Sequence, residues 1–214
     1  MGGSMQGKAD ILLHIGQCLL TDAPDLGEAT ELVPDWVPDV PFLDPPAPAA
    51  VLIALVKRAS GIFVVFTRRS SKLRAHSGQI ALPGGKLDES DRSPGAGALR
   101  EAQEEIALDP SLSNILGYMP SYLTGTNYLI VPVVAEVEGS INFFPNPLEV
   151  DEVFEISLDF ILGEESFSTF SISRNGRVHK TWQLNHEQHI IWGITANLIH
   201  NFRDMVLDGK VIVG

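Results

Sequence analysis

Three glutamates lie close together in the chain, at positions 101, 104 and 105 of the stretch ALREAQEEIAL. If this stretch is helical, Glu101, Glu104 and Glu105 project within about 100° of arc and repel one another. One interpretation is a solvated acidic face in which Arg100 pairs with Glu104. The other is a site for a hard divalent cation, because Mg²⁺ takes few carboxylates and completes its shell with water and substrate phosphates.

A Pro-Gly-Gly sequence at residues 83–85 stands shortly before these acids. Glycine lets the backbone approach other groups closely, so the carbonyl of Gly85 is a candidate ligand of the same cation. A plain turn is the alternative for any such tripeptide. The occurrence of the turn together with the carboxylates favours the metal site.

The elements that would position these groups can be predicted from local patterns. Ser93 and Pro94 suit the N-cap and first position of a helix that continues to about Leu108. Residues 50–58 and 61–69 are β-branched apolar runs separated by Ala-Ser-Gly, which predicts a hairpin of two buried strands. Apolar spacing and composition predict the remaining elements: helices at 8–20 and 190–206, and strands at 128–139, 152–157 and 177–184.

These elements indicate an α+β domain whose sheet joins strands distant in the sequence. The length of 214 residues, 44% of them hydrophobic, suits a single domain with a terminal elaboration. We expect residues 1–5 to be a cloning remnant ahead of a second initiator. Residues 6–46 are expected to form a helix and a proline-rich wrapping segment, and residues 47–214 the main domain.

The acids and the glycine turn together resemble the box of the Nudix hydrolases, G-x5-E-x7-R-E-U-x-E-E-x-G-U, where U is aliphatic. The matching residues are Gly85, Arg100, Glu101, Glu104, Glu105 and Leu108. Asp91 stands at the first acidic position of the box, and eight residues separate it from Arg100. Ala107 replaces the last glycine.

The segment FTRRSSKLRAHSGQIALPGG resembles a further motif, L-L-T-x-R-S-x3-R-x3-G-x3-F-P-G-G, of the coenzyme A diphosphatase branch of that family. The matching residues are Thr67, Arg69, Ser70, Arg74, Gly78, Pro83, Gly84 and Gly85. Leu82 replaces the phenylalanine of the motif. The two motifs together span residues 64–108.

The resemblance implies a Nudix fold, an α/β/α sandwich with a mixed β-sheet between helices. It also implies metal-dependent hydrolysis of the diphosphate bond of coenzyme A and its derivatives, giving 4′-phosphopantetheine and adenosine 3′,5′-bisphosphate. The implied cofactor is Mg²⁺ or Mn²⁺, held by Glu101, Glu104, Glu105 and the Gly85 carbonyl. Arg100 would orient the carboxylates, and Glu101 would assist as base.

The resemblance also implies a set of substrate-binding residues, namely Arg69, Ser70, Arg74 and Gly84. Basic residues concentrate here in an otherwise acidic chain, and guanidinium groups suit phosphate oxygens. A second acid from a later loop often completes such sites. Glu149 and Glu152 are both candidates, and Glu149 is preferred because it matches the acid of a similar Glu-Val segment in the family.

Composition excludes some classes of partner. Acidic residues outnumber basic ones, 27 to 15, for a formal net charge of −12. Nucleic acid and anionic membranes repel such a chain, so we expect a small-molecule partner. A single cysteine cannot form an intramolecular disulfide, which favours the reducing cytoplasm. A homodimer remains open.

Other functions were weighed against this one. Another nucleoside diphosphate derivative, such as ADP-ribose or NADH, would be cleaved by the same chemistry. A non-catalytic ligand-binding module is disfavoured, because it has no use for the full set of acids. The sequence HEQH at 186–189 has its histidines three apart, which predicts a polar turn entering the last helix and no zinc site.

Overall fold

The computed structural model describes residues 5–27, 42–73, 76–174 and 177–209. The described helices are α1 (Met5–Gln17), α2 (Pro94–Ile106), α3 (Leu158–Ile161) and α4 (Ile194–Asp208), with a 3₁₀ turn at Pro110–Leu112. The described strands are β1 (Ala47–Arg58), β2 (Gly61–Arg69), β3 (Ile80–Ala81), β4 (Gly84–Lys86), β5 (Ser113–Tyr118), β6 (Tyr122–Leu123), β7 (Tyr128–Val137), β8 (Val150–Ser157), β9 (Phe167–Arg174), β10 (Arg177–His186) and β11 (His189–Trp192).

The larger sheet is mixed and has β1 at its centre. Its main path runs β3-β2-β1-β7-β5, with β4 against β1, β6 against β7 and β8 against β2. Strands β1 and β2 form the predicted antiparallel hairpin. Strand β7 lies parallel to β1, so the chain between them must cross over, and α2 is the helix of that crossover. Strands β9, β10 and β11 form a separate antiparallel sheet.

The larger sheet is covered on both faces, because alternate residues of β1 point to opposite sides. Leu52 joins a core cluster with Ala102 of α2. Ile53 joins the other cluster, with Ile15 of α1 and Phe202 of α4. Each large apolar side chain buried in this way stabilises the fold by roughly 1.5–3 kcal/mol. The predicted α/β/α arrangement is confirmed.

Helix α2 begins and ends through local signals. The hydroxyl of Ser93 accepts a hydrogen bond from the Ala96 N–H at 3.1 Å, and Pro94 occupies the first turn, as predicted. The helix ends at Ile106, two residues before the predicted Leu108. Ala107 there adopts the left-handed conformation at φ 56°, where the family pattern has glycine.

The last predicted helix is wrong at its start. Residues 189–192 form strand β11, paired with β10, and α4 begins only at Ile194. Burial alternates along β11, buried at His189 and exposed at Ile190, which is the period of a strand. Gly193, at φ 67°, separates strand from helix. The HEQH sequence does form a turn, but the turn connects β10 to β11.

Several elements were absent from the prediction. They are β3, β4, β5, β6, β9 and the short helix α3. Helix α1 starts and ends three residues earlier than predicted. Much of the proline-rich segment, 28–41, lies outside the described residues. Among the helices that the structure describes, none combines the length and apolarity needed to cross a bilayer.

Candidate active site

The two glycines of the turn bring backbone against carboxylates. In β4, Gly85 pairs with Ala50 of β1 and lies beside α2. A Cβ on Gly85 would lie 2.5 Å from the carboxyl carbon of Glu101, and one on Gly84 would lie 2.4 Å from the Ala50 carbonyl oxygen. At Gly84 the obstacle is backbone, so only glycine allows this approach, whereas a Cβ at Gly85 would require the flexible Glu101 carboxylate to move aside. The sequence-based expectation of a close backbone approach is met.

Glu105 is the most deeply buried acid of the site, with 2% of its surface exposed. Its carboxylate accepts a hydrogen bond from the Gly84 N–H at 3.2 Å and lies 3.6 Å from a guanidinium nitrogen of Arg69. Burial raises the pKa of Glu105 to about 7, and the neighbouring Glu101 and Glu149 add to the rise against these two contacts. The buried position of Glu105 is incompatible with a fully solvated acidic face.

Glu101 and Glu149 line the same cleft as Glu105. Burial raises the pKa of Glu101, partly opposed by a 2.9 Å hydrogen bond from Arg100. Glu149 also raises the pKa of Glu101, which places its carboxylate within electrostatic reach. Of the two loop acids considered from sequence, the structure therefore brings Glu149 to the cleft.

Glu152, the other loop acid, is held elsewhere. Its carboxylate pairs with Arg68 at 2.8 Å and lies 3.1 Å from Nε2 of His189. This contact joins β8 and β2 to β11 of the small sheet. Glu152 therefore connects the two sheets and does not line the cleft.

Asn146 positions the loop that carries Glu149; the Asn146-Pro147 dipeptide predicts a turn here but not this contact with the loop acid. Its N–H donates to the Glu105 carbonyl at 2.8 Å, and its carbonyl accepts from the Glu149 N–H at 2.9 Å. Its side-chain amide also donates to the Glu149 carboxylate at 3.4 Å. One residue thus links the end of α2 to the loop acid.

Glu104 does not share the cleft with its two neighbours. Its side chain is 53% exposed and accepts a 3.1 Å hydrogen bond from Arg100. The three glutamates share one arc of α2 as predicted, but β4 covers only the side on which Glu101 and Glu105 lie, so Glu104 faces solvent. The pairing of Arg100 with Glu104 is present as expected.

Asp91 has a defined role at the first acidic position of the box. Both of its carboxylate oxygens accept from Arg100, at 3.1 Å each. These hydrogen bonds lower the pKa of Asp91. Arg100 also donates to the carbonyl of Lys86 at 3.1 Å. Asp91 thus fixes the guanidinium that orients Glu101, and the extra residue in the box spacing leaves this contact intact.

The candidate substrate-binding residues are not all brought together. Arg69 and Gly84 line the cleft. Ser70 is fully buried and is not part of the cleft wall. Its hydroxyl accepts from the Lys72 N–H at 3.4 Å, and its N–H donates to the Glu149 carbonyl at 2.8 Å. The structure therefore places Ser70 behind the loop acid, which contradicts a direct substrate contact. Arg74 lies outside the described residues.

The cleft has a volume of about 670 Å³. Beside the carboxylates it is lined by Thr124 and Tyr128. Its far wall comes from β10, β11 and the start of α4, with Lys180 and Trp192 among the lining residues. Nothing in the local sequence pattern indicated that these distant elements lie across the cleft from α2.

The acids fit a divalent cation, although their arrangement is open. Within residues 5–27, 42–73, 76–174 and 177–209, no three His, Cys, Asp or Glu side chains form a closed metal site. Besides burial, Glu101 and Glu149 raise the pKa of Glu105, and Glu104 and Glu149 raise the pKa of Glu101, so negative charge there is not balanced by Arg69 alone. Few carboxylates beside open space are the donor set that Mg²⁺ prefers.

Comparison with known proteins agrees with this geometry. A family model described as the NUDIX domain matches residues 46–167, which contain the glycine turn, α2 and the loop acid. The chain belongs to the Nudix family. Nudix hydrolases act on nucleoside diphosphate derivatives, generally with a divalent metal such as Mg²⁺ or Mn²⁺, and the protein is a hydrolase of this kind.

Two bacterial relatives are named "Uncharacterized Nudix hydrolase NudL". The chain is 39% identical over 151 residues to the protein of Escherichia coli (strain K12), covering 71% of this chain and 78% of that protein. It is 36% identical over 158 residues to the protein of Photorhabdus laumondii, covering 74% and 84%.

Two solved Nudix structures overlap with a little more than half of the chain. RenU, a Nudix hydrolase from M. smegmatis, is 20% identical with a TM-score of 0.45, covering 55% of this chain and 74% of that one. The MutT protein of Methanosarcina mazei Go1 is 24% identical with a TM-score of 0.44, covering 58% and 86%.

Proposed function

We propose that this Nudix hydrolase cleaves the diphosphate bond of coenzyme A and its derivatives, releasing 4′-phosphopantetheine and adenosine 3′,5′-bisphosphate. The observation that carries the proposal is the meeting of Glu101, Glu105 and Glu149 with Arg69 and Gly84 in one cleft. Arg69 and Gly84 belong to the motif that resembles the coenzyme A branch. The carboxylates supply the hydrolytic site, and the motif residues supply the substrate preference.

The proposed cofactor is Mg²⁺ or Mn²⁺. Glu101, Glu105 and the Gly85 carbonyl would hold it, with Glu104 as an outer ligand after its side chain turns from Arg100. When bound, such an ion neutralises charge on the diphosphate oxygens and supplies an activated water. The cluster of raised carboxyl pKa values at this place supports the assignment.

The chain's own residues then bind, orient and accept a proton. Arg69 would donate to a phosphate oxygen of the diphosphate, as its guanidinium already faces the cleft beside Glu105. Arg100, fixed by Asp91, holds the Glu101 carboxylate in one orientation. Glu101 or Glu149 would take the proton of the attacking water, because both lie in the cleft and a carboxylate suits this task. Arg74 is proposed as a further phosphate contact.

Product analysis tests the proposal directly. The purified protein is incubated with coenzyme A, ADP-ribose or NADH, with Mg²⁺, with Mn²⁺ or with a chelator, and the products are identified by mass spectrometry. We expect 4′-phosphopantetheine from coenzyme A only when metal is present. Cleavage of ADP-ribose or NADH in preference to coenzyme A would reject the proposed substrate, and turnover in the chelator would reject the metal.

We also propose the kind of partner that the protein binds and its place in the cell. We propose a small-molecule substrate and no nucleic-acid or membrane partner, because the net charge of −12 repels both polyanions. A cytoplasmic location is consistent with a single buried cysteine, Cys18, in the described residues. Light scattering of the purified protein would decide between a monomer and a homodimer.

A further inference from the structure

The far wall of the cleft has no part in the carboxylate chemistry. It is formed by β10, β11 and the start of α4, which lie beyond residue 167, where the match to the family model ends. Lys180 and Trp192 line it. The wall therefore adds to the shared hydrolytic site a surface of its own, which faces whatever part of the substrate extends past the diphosphate.

Among the described residues that line this cleft, Lys180 is a cation without a partner. Arg69 faces Glu105 at 3.6 Å, and Nζ of Lys86 lies over the ring of Tyr128 at 5.5 Å. Lys180 is exposed, and it has no hydrogen-bond or ion-pair partner within the part of the chain that the structure describes. In a chain of net charge −12, a lone ammonium group beside a cleft attracts an anion of the ligand.

The strand that carries Lys180 is held in place. The side-chain oxygen of Asn197 in α4 accepts from the Thr181 hydroxyl at 3.0 Å, next to Lys180 in β10. The amide nitrogen of Asn197 donates to the hydroxyl of Tyr122 in β6 at 2.8 Å. The small sheet is thus tied through α4 to the larger sheet, so the position of Lys180 relative to the carboxylates is set before any ligand binds.

An aromatic ring stands on the same wall. Trp192 is 42% exposed and lines the cleft. It pairs with Gln183, three residues along β10 from Lys180, so the two backbone positions lie roughly 10 Å apart at about 3.3 Å per residue, and the two side chains leave opposite faces of the small sheet because side chains alternate along a strand. Both side chains nevertheless line the same cleft, and a cleft bordered by a ring that can stack on a base and by an ammonium group that can meet a phosphate suits a nucleotide with a phosphate on its sugar.

We infer that Lys180 binds the 3′-phosphate on the ribose of the substrate and that Trp192 stacks on its base. Lys180 is then a specificity-determining residue, since it selects substrates that carry a phosphate monoester besides the scissile diphosphate. Such a monoester carries a charge of about −1.5 to −2 near neutral pH, which makes it a strong partner for one free ammonium group. The inference rests on the proposed function and names the residue behind its substrate preference.

The test compares coenzyme A with 3′-dephospho-coenzyme A, which differ only in that phosphate. We expect the wild type to favour coenzyme A about tenfold in kcat/KM, and Lys180→Gln to lower kcat/KM about tenfold for coenzyme A alone. Lys180→Arg should retain the preference. Trp192→Leu should lower kcat/KM for both substrates to a similar extent, because both carry adenine.

Arg92→Gln serves as the matched control, because Arg92 is also exposed but does not line the cleft. It should leave both substrates unaffected. Binding gives an independent measurement: by calorimetry on metal-free protein, Lys180→Gln should weaken adenosine 3′,5′-bisphosphate about tenfold and leave adenosine 5′-monophosphate unchanged.

Two results would overturn the inference while leaving the proposed function standing. One is an equal loss for both substrates in Lys180→Gln, and the other is no loss for either. A wild type that cleaves neither substrate would overturn the proposed function, and the inference with it.

Discussion

Glu105 combines deep burial with a charge that the metal-free protein balances poorly. Its pKa is raised from 4.5 to about 7 by burial. A carboxyl whose pKa rises on folding stabilises the folded state fully below its unfolded value, and this stability is lost as pH rises through about 7. In the absence of metal, the protein should therefore become less stable between pH 4.5 and pH 7 on account of this group.

Replacing Glu105 by Gln should abolish turnover yet stabilise the metal-free protein at pH 8. The amide has no charge to desolvate, so the free energy of unfolding in chelator should rise by about 1–3 kcal/mol, measured by urea denaturation. Glu104→Gln is the matched control, since its exposed carboxylate should give no such rise. Substantial activity in Glu105→Gln would reject its role as a ligand.

Asp91 acts through Arg100, and its replacement by Asn should show this. The loss of the two-oxygen contact should lower kcat about tenfold, with little change in KM, because the Glu101 carboxylate loses its fixed orientation. Unfolding free energy should fall by about 1–3 kcal/mol at pH 7. Because the folded pKa is lowered, the difference from wild type should persist above about pH 4 and vanish as pH falls through that folded value.

Asp88→Asn provides the comparison for Asp91. Asp88 lies 3.7 Å from the same guanidinium, but its side chain is 64% exposed. An exposed pair of this kind contributes little, about 0–1 kcal/mol. If the two variants behaved alike in kcat, the interpretation of Asp91 as the residue that holds Arg100 would be wrong.

At the scale of the element, α2 ends at a residue that suits its place poorly. Ala107 lies at φ 56°, a conformation that costs an L-residue roughly 1–2 kcal/mol and glycine almost nothing. Ala107→Gly should raise the unfolding free energy by about 1 kcal/mol and the melting temperature by roughly 2–4 °C. Calorimetry measures both.

The matched substitution Ala9→Gly should have the opposite sign. Ala9 is exposed within α1, where glycine costs about 1 kcal/mol relative to alanine. Destabilisation by both variants would contradict the argument from the left-handed conformation, because it would show that flexibility alone decides the outcome.

Elements with strong local signals were predictable, and elements chosen by pairing were not. Ser93 and Pro94 specify the start of α2 through a hydrogen bond within one turn, which the sequence displays directly. Residues 190–192 satisfy the spacing of a helix and of a strand equally well. Pairing with residues 183–185 of β10 decides between them. A prediction that considers one segment at a time has no access to that choice.

In the candidate site, too, some residues could be predicted from local spacing, and others are placed by contacts between distant elements. Helical spacing grouped the three glutamates correctly, but only the position of β4 against α2 places Glu101 and Glu105 in the cleft and leaves Glu104 outside. The motif located Arg69. It did not reveal that Ser70 is buried behind the loop acid. The roles of Lys180 and Asn146 were not predictable from local patterns, because they arise from the position of a distant strand and from a contact with the end of α2.

At the scale of the whole molecule, Asn197 connects the two sheets. Its side chain contacts β10 through Thr181 and the Trp182 N–H, and contacts β6 through Tyr122. Asn197→Ala leaves these partners without a hydrogen bond from this side chain, which should lower the unfolding free energy by about 2–4 kcal/mol. Asn201→Ala, at an exposed position of the same helix, should change it by less than about 0.5 kcal/mol.

Asn197→Ala should also change the kinetics of the enzyme. Because Asn197 holds the strand of Lys180, its loss should raise KM for coenzyme A more than it lowers kcat, since the carboxylates belong to the other sheet. Tyr122→Phe removes only one end of the contact and should cost about 1 kcal/mol, and the double variant should fall short of additivity by a similar amount. Strict additivity, or a loss confined to kcat, would mean that the small sheet is positioned by other contacts, such as that of Glu152 with His189.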